Sequence, residues 1–80
     1  MRIFFYGRLS DALGHEMEVD LPGSCSVADL RNLLAELRPE AAAALGSKRV
    51  RACVGDSIVL DSHVVGPADE VEFIPPVSGG

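Results

Sequence analysis

Val27, Leu30, Leu33, Leu34 and Leu37 recur at three- and four-residue spacing, and this stripe constrains the fold more than any other feature of the chain. The spacing places the five side chains on one face of an α-helix. Ser26 or Ser24 serves as N-cap, Asp29 sits in the first turn where the helix dipole favours negative charge, and Pro39 is the stop. Arg31, Asn32, Glu36 and Arg38 are expected to face water. A helix with an apolar stripe has to lay it on a partner, and the rest of the chain is patterned as strands.

The segment Arg2-Ile3-Phe4-Phe5-Tyr6 is β-branched and aromatic, closes at Gly7, and is apolar on both faces, as a central strand is. Ile3 and Phe5 point one way, Phe4 and Tyr6 the other. Residues 16–21 alternate strictly, with Met17, Val19 and Leu21 against Glu16, Glu18 and Asp20. Residues 9–15, which include Gly14, are expected to be the hairpin connection between these two strands. The Ala-rich residues 40–45 predict a short second helix ended by Gly46. Val50, Ala52 and Val54 share one face of a strand that turns at Gly55-Asp56 into Ser57-Ile58-Val59-Leu60. A polar loop through Asp61, Ser62 and Gly66-Pro67 leads to a last strand, residues 69–74, whose Val71 and Phe73 point inward. Pro75-Pro76 ends the pairing, because neither proline can donate to a strand ladder. The order β-β-α-β-β-β predicts an α+β fold: a mixed sheet with one main helix packed on one face, the β-grasp or ubiquitin-like arrangement. A chain of 80 residues suffices for one such domain, residues 1–76, followed by an arm of residues 77–80.

Twelve acidic residues against seven basic ones, a net charge of −5, argue against a nucleic-acid partner. Lys48, Arg49 and Arg51 are the one basic cluster, and they read as a solvated strand face. The longest apolar run, residues 41–45, is far below the roughly 20 residues of a membrane span, and no signal-peptide pattern follows Met1-Arg2, so no membrane role and a cytoplasmic location are expected. Cys25 and Cys53 have neither CxxC nor zinc-site spacing and are expected to be reduced. His15 and His63 belong to no metal motif, so no metal site is expected. Cys25, ahead of the helix, is the better candidate nucleophile, because helix N-termini lower thiol pKa, but nothing adjacent supplies a base. Asp69, Glu70 and Glu72 read as solvation of a strand. As a self-contained enzyme the chain is weak.

The distinctive segment is the last one, Phe73-Ile74-Pro75-Pro76-Val77-Ser78-Gly79-Gly80. The prolines stiffen the exit from the sheet, and each later residue extends the reach by at most about 3.3–3.6 Å. Gly79 and Gly80 carry no side chains, so they suit a channel that admits only backbone. This pattern points to a partner's active site that grips the arm and works on the Gly80 carboxylate. A carboxylate is a poor electrophile; transfer to a nucleotide phosphate makes an acyl-adenylate, from which a sulfur nucleophile displaces AMP and leaves a thiocarboxylate. No side chain of this chain is required for that. If Ile3, Phe5, Val71 and Phe73 face the helix, then Phe4, Tyr6 and Ile74 form an apolar patch on the opposite sheet surface, as docking surfaces do. The competing reading is a second small core closed by residues 41–45.

These features together resemble the small, sulfur-carrier subunits of molybdopterin synthase, a branch of the ubiquitin-like family. The resemblance spans essentially the whole chain. It is carried by Arg2-Ile3-Phe4-Phe5-Tyr6-Gly7 with Arg8-Leu9 and Leu13-Gly14, by Val27 and Leu30 on the helix, and by residues 69–80, above all Pro75-Pro76-Val77-Ser78-Gly79-Gly80. It implies that Gly80 is adenylated by an ATP-dependent adenylyltransferase of the ubiquitin-activating kind and converted to a thiocarboxylate with sulfur from a sulfurtransferase. The loaded arm then enters the large catalytic subunit and gives sulfur to cyclic pyranopterin monophosphate during molybdenum cofactor biosynthesis, in a heterotetramer. The catalytic residues are expected on the large subunit, with no cofactor bound by this chain and ATP used by the activating enzyme. By position, Gly79 and Gly80 form the arm's end, and Tyr6, Ile58 or Val59, and Ile74 occupy hydrophobic docking positions. Phe4, Pro75, Pro76, Val77 and Ser78 complete the expected partner surface. Gly55 stands where this family often has Asn, and Ile74 where Phe is frequent. Sulfur carriers for thiamine synthesis or tRNA thiolation, and ubiquitin-like protein modifiers, share the Gly-Gly end.

Overall fold

In the computed structural model, which describes residues 1–75, the elements in order are β1 (Arg2–Phe5), α1 (Arg8–Leu13), β2 (Glu16–Glu18), β3 (Cys25–Ser26), α2 (Val27–Leu37), a 3₁₀ turn (Pro39–Ala41), α3 (Ala42–Gly46), β4 (Arg51–Val54), β5 (Ser57–Val59), β6 (Val64–Val65) and β7 (Glu70–Ile74). Strand β1, apolar on both faces, lies inside a five-stranded sheet of order β2-β1-β7-β4-β5. It pairs antiparallel with β2 and parallel with β7, and β4 pairs antiparallel with both β7 and β5, so the sheet is mixed as expected.

The parallel register sets Ile3 beside Val71 and Phe5 beside Phe73, and all four side chains are fully buried under α2. The rings of Phe5 and Phe73 stack with centroids 6.1 Å apart. Burial of groups this size stabilises by roughly 1.5–3 kcal/mol each, so this quartet with Val27, Leu30 and Leu34 is the main driving force for closing the sheet onto the helix.

Helix α2 begins where its cap residue says it should. The Ser26 hydroxyl accepts from the Asp29 amide at 3.1 Å. The amides of Val27 and Ala28, left without partners by helix geometry, donate to the carbonyls of His63 and Asp61. The helix stops at Leu37, ahead of Pro39. Its buried residues are Val27, Leu30, Arg31 and Leu34, which corrects the expectation that Arg31 faces water. Leu33 is half-buried and Leu37 is 47% exposed, so the inward stripe is rotated toward Arg31.

Arg31 is only 7% exposed, and each of its guanidinium nitrogens is engaged. Nε donates to Asp61 Oδ1 at 3.1 Å, Nη1 to the carbonyls of Leu45 and Ser47 at 2.9 and 3.0 Å, and Nη2 to the carbonyl of Val50. Its guanidinium carbon sits 5.4 Å from the Phe73 ring centroid. The carbonyls it meets lie at the end of α3 and the approach to β4, where no helix or sheet ladder satisfies them.

Two further elements depart from the sequence-based expectation. Residues 9–15 hold helix α1 rather than a bare connection: Leu9 is buried and the Ser10 hydroxyl donates to the Gly7 carbonyl at 2.7 Å. A separate two-stranded pairing, Cys25 with Val65 and Ser26 with Val64, forms where the sequence suggested only a polar loop. The expected short second helix is present as the 3₁₀ turn and α3.

Replacing Arg31 by Met keeps bulk and removes every donor. The Ser47 carbonyl keeps the Val50 amide, but those of Leu45 and Val50 lose the guanidinium; buried carbonyls left without a donor cost about 1–3 kcal/mol each, so the variant should lose about 2–5 kcal/mol in urea unfolding. Leu37→Ala, at an exposed position, should cost less than about 1 kcal/mol. Equal losses for the two variants would show that the guanidinium network is not what joins α2 to the second half of the chain.

Candidate functional site

Because Ile3, Phe5, Val71 and Phe73 point to α2, strand alternation sends Phe4, Tyr6, Glu72 and Ile74 to the opposite, outer surface of the sheet. Tyr6 is 46% exposed, and Phe4 and Ile74 are half-buried. Register extends the face sideways: Ile74 is paired with Arg51, Glu72 with Cys53, and Cys53 with Ile58, which is 62% exposed. The two-residue turn at Gly55-Asp56, both with positive φ, fixes this last pairing. Val59 pairs with Ala52 and packs against the core on the helix side, so of the two expected docking residues only Ile58 lies on the outer face. Leu60, 77% exposed and just past the end of β5, lines a cleft with Arg31, Val59 and Asp61, a position the sequence reading passed over. Residues 41–45 do not cover the outer face: Ala41 and Leu45 join the core beside α2.

One polar contact sits in this apolar surface. The Tyr6 hydroxyl donates to Glu72 Oε2 at 2.9 Å. Hydrogen bonding to the Glu72 carboxylate, then loss of hydration and the nearby negative charge, raises the phenol's pKa above its ordinary value. Tyr6 is therefore held neutral and oriented across the face.

The outer face leads directly to the chain's last segment. Ile74, the final residue of β7, is followed by Pro75, whose Cγ would lie 2.6 Å from a Cβ built on Gly7. Gly7 has φ +64°, so both the backbone conformation and the close approach of Pro75 require the absence of a side chain there. Among the expected arm and docking residues, Pro76, Val77, Ser78, Gly79 and Gly80 lie outside the described residues.

The alternative nucleophiles are unfavourably placed. Burial, then the charge of Asp29, pushes the Cys25 thiol up, opposite to the lowering expected at a helix N-terminus. Burial raises the Cys53 thiol too, followed by the charges of Glu72 and Asp56. Both are free cysteines. His15 and His63 are exposed and enter the fold through their backbone carbonyls. Among the described residues no cluster of His, Cys, Asp and Glu is arranged to hold a metal ion, and no helix is long and apolar enough to cross a membrane.

Comparison with known proteins identifies a family and a fold. The sequence profile described as the ThiS family matches residues 3–80. The molybdopterin synthase sulfur carrier subunit of Escherichia coli K12 is 30% identical over 83 aligned positions, covering 100% of this chain and 99% of that protein. Among solved structures, SAMP1 of Haloferax volcanii superposes with a TM-score of 0.82 at 21% identity, covering 99% of this chain and 97% of the other. A putative molybdopterin converting factor, subunit 1, from Pyrococcus furiosus gives 0.78 at 19% identity over 95% of each chain. These likenesses show the ubiquitin-like β-grasp fold.

Tyr6 is the sole tyrosine and the chain has no tryptophan, so its ionisation can be followed cleanly by ultraviolet absorbance. The phenol should titrate above 10.0 in the native chain and move back toward that value in Glu72→Gln. Since the folded value is raised, the contribution to stability is present below the ordinary phenol pKa and is lost as pH climbs through the raised one. A native titration at the ordinary value, unchanged by Glu72→Gln, would remove the Tyr6–Glu72 contact from the description of this face.

Proposed function

The chain belongs to the ThiS family of ubiquitin-like sulfur carriers, and on that premise we propose that it is the sulfur-carrying small subunit of a molybdopterin synthase, with Gly80 as the atom-bearing end. The observation that carries the proposal is the continuity of the central strand β7 with both parts of a carrier. Ile74 contributes to an apolar outer face with Phe4, Tyr6 and Ile58, and in the sequence the same strand is followed by Pro75 and, at the end of the chain, Gly79 and Gly80.

In this reading an ATP-dependent adenylyltransferase binds the outer face and takes the last residues into its own active site. The Gly80 carboxylate oxygen attacks the α-phosphate of ATP, pyrophosphate leaves, and the mixed anhydride makes the carbonyl carbon electrophilic. The terminal sulfur of a persulfide on a sulfurtransferase adds to that carbon and AMP departs; a thiol reductant then cleaves the resulting acyl disulfide, leaving the thiocarboxylate and a disulfide formed between the reductant and the sulfurtransferase thiol. The large synthase subunit then receives the loaded end and accepts the sulfur into cyclic pyranopterin monophosphate. The small subunit contributes position and slenderness: Gly-Gly offers no side chain to clash, and a docked domain converts a bimolecular encounter into an intramolecular delivery. The raised thiol pKa values of Cys25 and Cys53 fit a chain whose own side chains stay out of the chemistry.

Incubation with ATP, the adenylyltransferase and a sulfur donor should raise the intact mass by one oxygen-to-sulfur exchange, in the native chain and equally in Cys25→Ala and Cys53→Ala. Deleting Gly80 should abolish molybdopterin formation, and activity retained after that deletion would falsify the proposal. Isopeptide-linked conjugates on other proteins, with no thiocarboxylate, would instead assign the chain to the protein modifiers. Ile74→Asp should weaken binding to the large subunit by roughly tenfold or more while the domain stays folded, since an ionised carboxylate at an apolar contact resists desolvation.

A further inference from the structure

A groove of about 600 Å³ opens beside Pro75, on the side away from the outer sheet face. Its floor is made by Leu9, Ala41 and Val50, all core residues, and its walls by Ala12 of α1 and Ala44 of α3, both exposed. The small side chains on the walls leave a hollow above this buried apolar floor. Arg8 and Arg49 stand over it, with Glu40 as the single carboxylate among the lining residues.

The charge around this groove runs against that of the chain as a whole. Net charge is −5, with seven cations in total, yet Arg8, Lys48, Arg49 and Arg51 gather at this end of the molecule. Arg8 and Arg49 line the groove together with Pro75, and Lys48 and Arg51 line the neighbouring cleft. Arg51 also pairs in register with Ile74, the residue before Pro75. None of the four makes an ion pair among the described residues, whereas Arg2 is held by Glu16 and Glu70, and Arg31 by Asp61. The carboxylates of Glu16, Glu18 and Glu70 surround Met1 and Arg2 at the opposite end of the central strands. The molecule is thus polarised, positive where the chain leaves the sheet and negative at the other end.

Resting on the proposed function, we infer that this groove is a second contact for the large synthase subunit, which places there a segment pairing an apolar side chain with a carboxylate. The apolar side chain fills the space over Leu9, Ala41 and Val50, and the carboxylate meets Arg8 and Arg49. Two contacts on either side of Pro75, the outer face and the groove, fix the root of the arm from both sides, which a single flat patch does not do. The basic collar also steers the acidic partner surface to this end and not to the opposite one.

The test measures binding of the full chain to the large synthase subunit of the same organism by calorimetry at several salt concentrations. Affinity of the native chain should fall as ionic strength rises. The double variant Arg8→Glu/Arg49→Glu should bind roughly tenfold or more weakly with a flatter salt dependence. Ala44→Trp fills the groove from an exposed wall and should weaken binding comparably; Ala12→Met does so from the other wall and guards against a folding defect in the short α3. Native-like affinity in all three, together with weakened binding in Ile74→Asp, overturns the groove contact while leaving the carrier reading intact. Native-like affinity in Ile74→Asp as well, or no binding by the native chain, overturns the carrier reading and this inference with it. Tighter binding in Ala44→Trp assigns the groove to the chain's own last residues, and self-association abolished by Ala44→Trp assigns it to a second copy; each of these overturns the inference.

Discussion

A single guanidinium, that of Arg31, decides how the two halves of this chain meet. Strand β1, with α1 and β2, makes one half; α3, β4 and β5 make much of the other; α2 crosses between them. At the crossing, the carbonyls of Leu45, Ser47 and Val50 converge on one side chain of α2, because the chain there leaves a short helix and has not yet entered the sheet. Five N–H donors in a fixed planar fork suit such a convergence, where a lysine would bring one mobile point charge. Asp61 completes the set, and its backbone carbonyl also caps the start of α2 through Ala28. Helix start, helix–sheet contact and the entry to β4 are therefore coupled through two residues.

That arginine is also where sequence reasoning was least able to see. Val27, Leu30, Arg31 and Leu34 have the i, i+3, i+4, i+7 spacing of an inward face, but charge marked Arg31 as solvent-facing, and Leu33 and Leu37 drew the stripe the other way. The partners that make its burial favourable are backbone carbonyls, which leave no trace in residue identity. Helix α1 was missed for a related reason: at six residues, without a side-chain cap, it depends on burial of Leu9 and not on its own propensity. The pairing of β3 with β6 is two residues long on each side and is set by the route of the loop that caps α2.

The strands were far more legible. Parity alone separated Ile3 and Phe5 from Phe4 and Tyr6, and Val71 and Phe73 from Ile74, because in a central strand burial on one face is settled by alternation. The Gly55-Asp56 turn held a further signal: a two-residue loop sets Val54 opposite Ser57, hence Cys53 opposite Ile58, which places Ile58 and not Val59 on the outer face. Tyr6 and Glu72 fell on that face in sequence terms too, but their hydrogen bond needed the parallel register of β1 with β7, which joins the two ends of the chain.

Gly7 lies at the end of the first strand and Pro75 just after the last, and they touch because β1 and β7 run side by side in the same direction. The empty space where a side chain of residue 7 would stand is occupied by the proline ring. The opening of the polypeptide therefore fixes where Pro75 can sit: a side chain at residue 7 would push the proline ring out of its place beside the first loop.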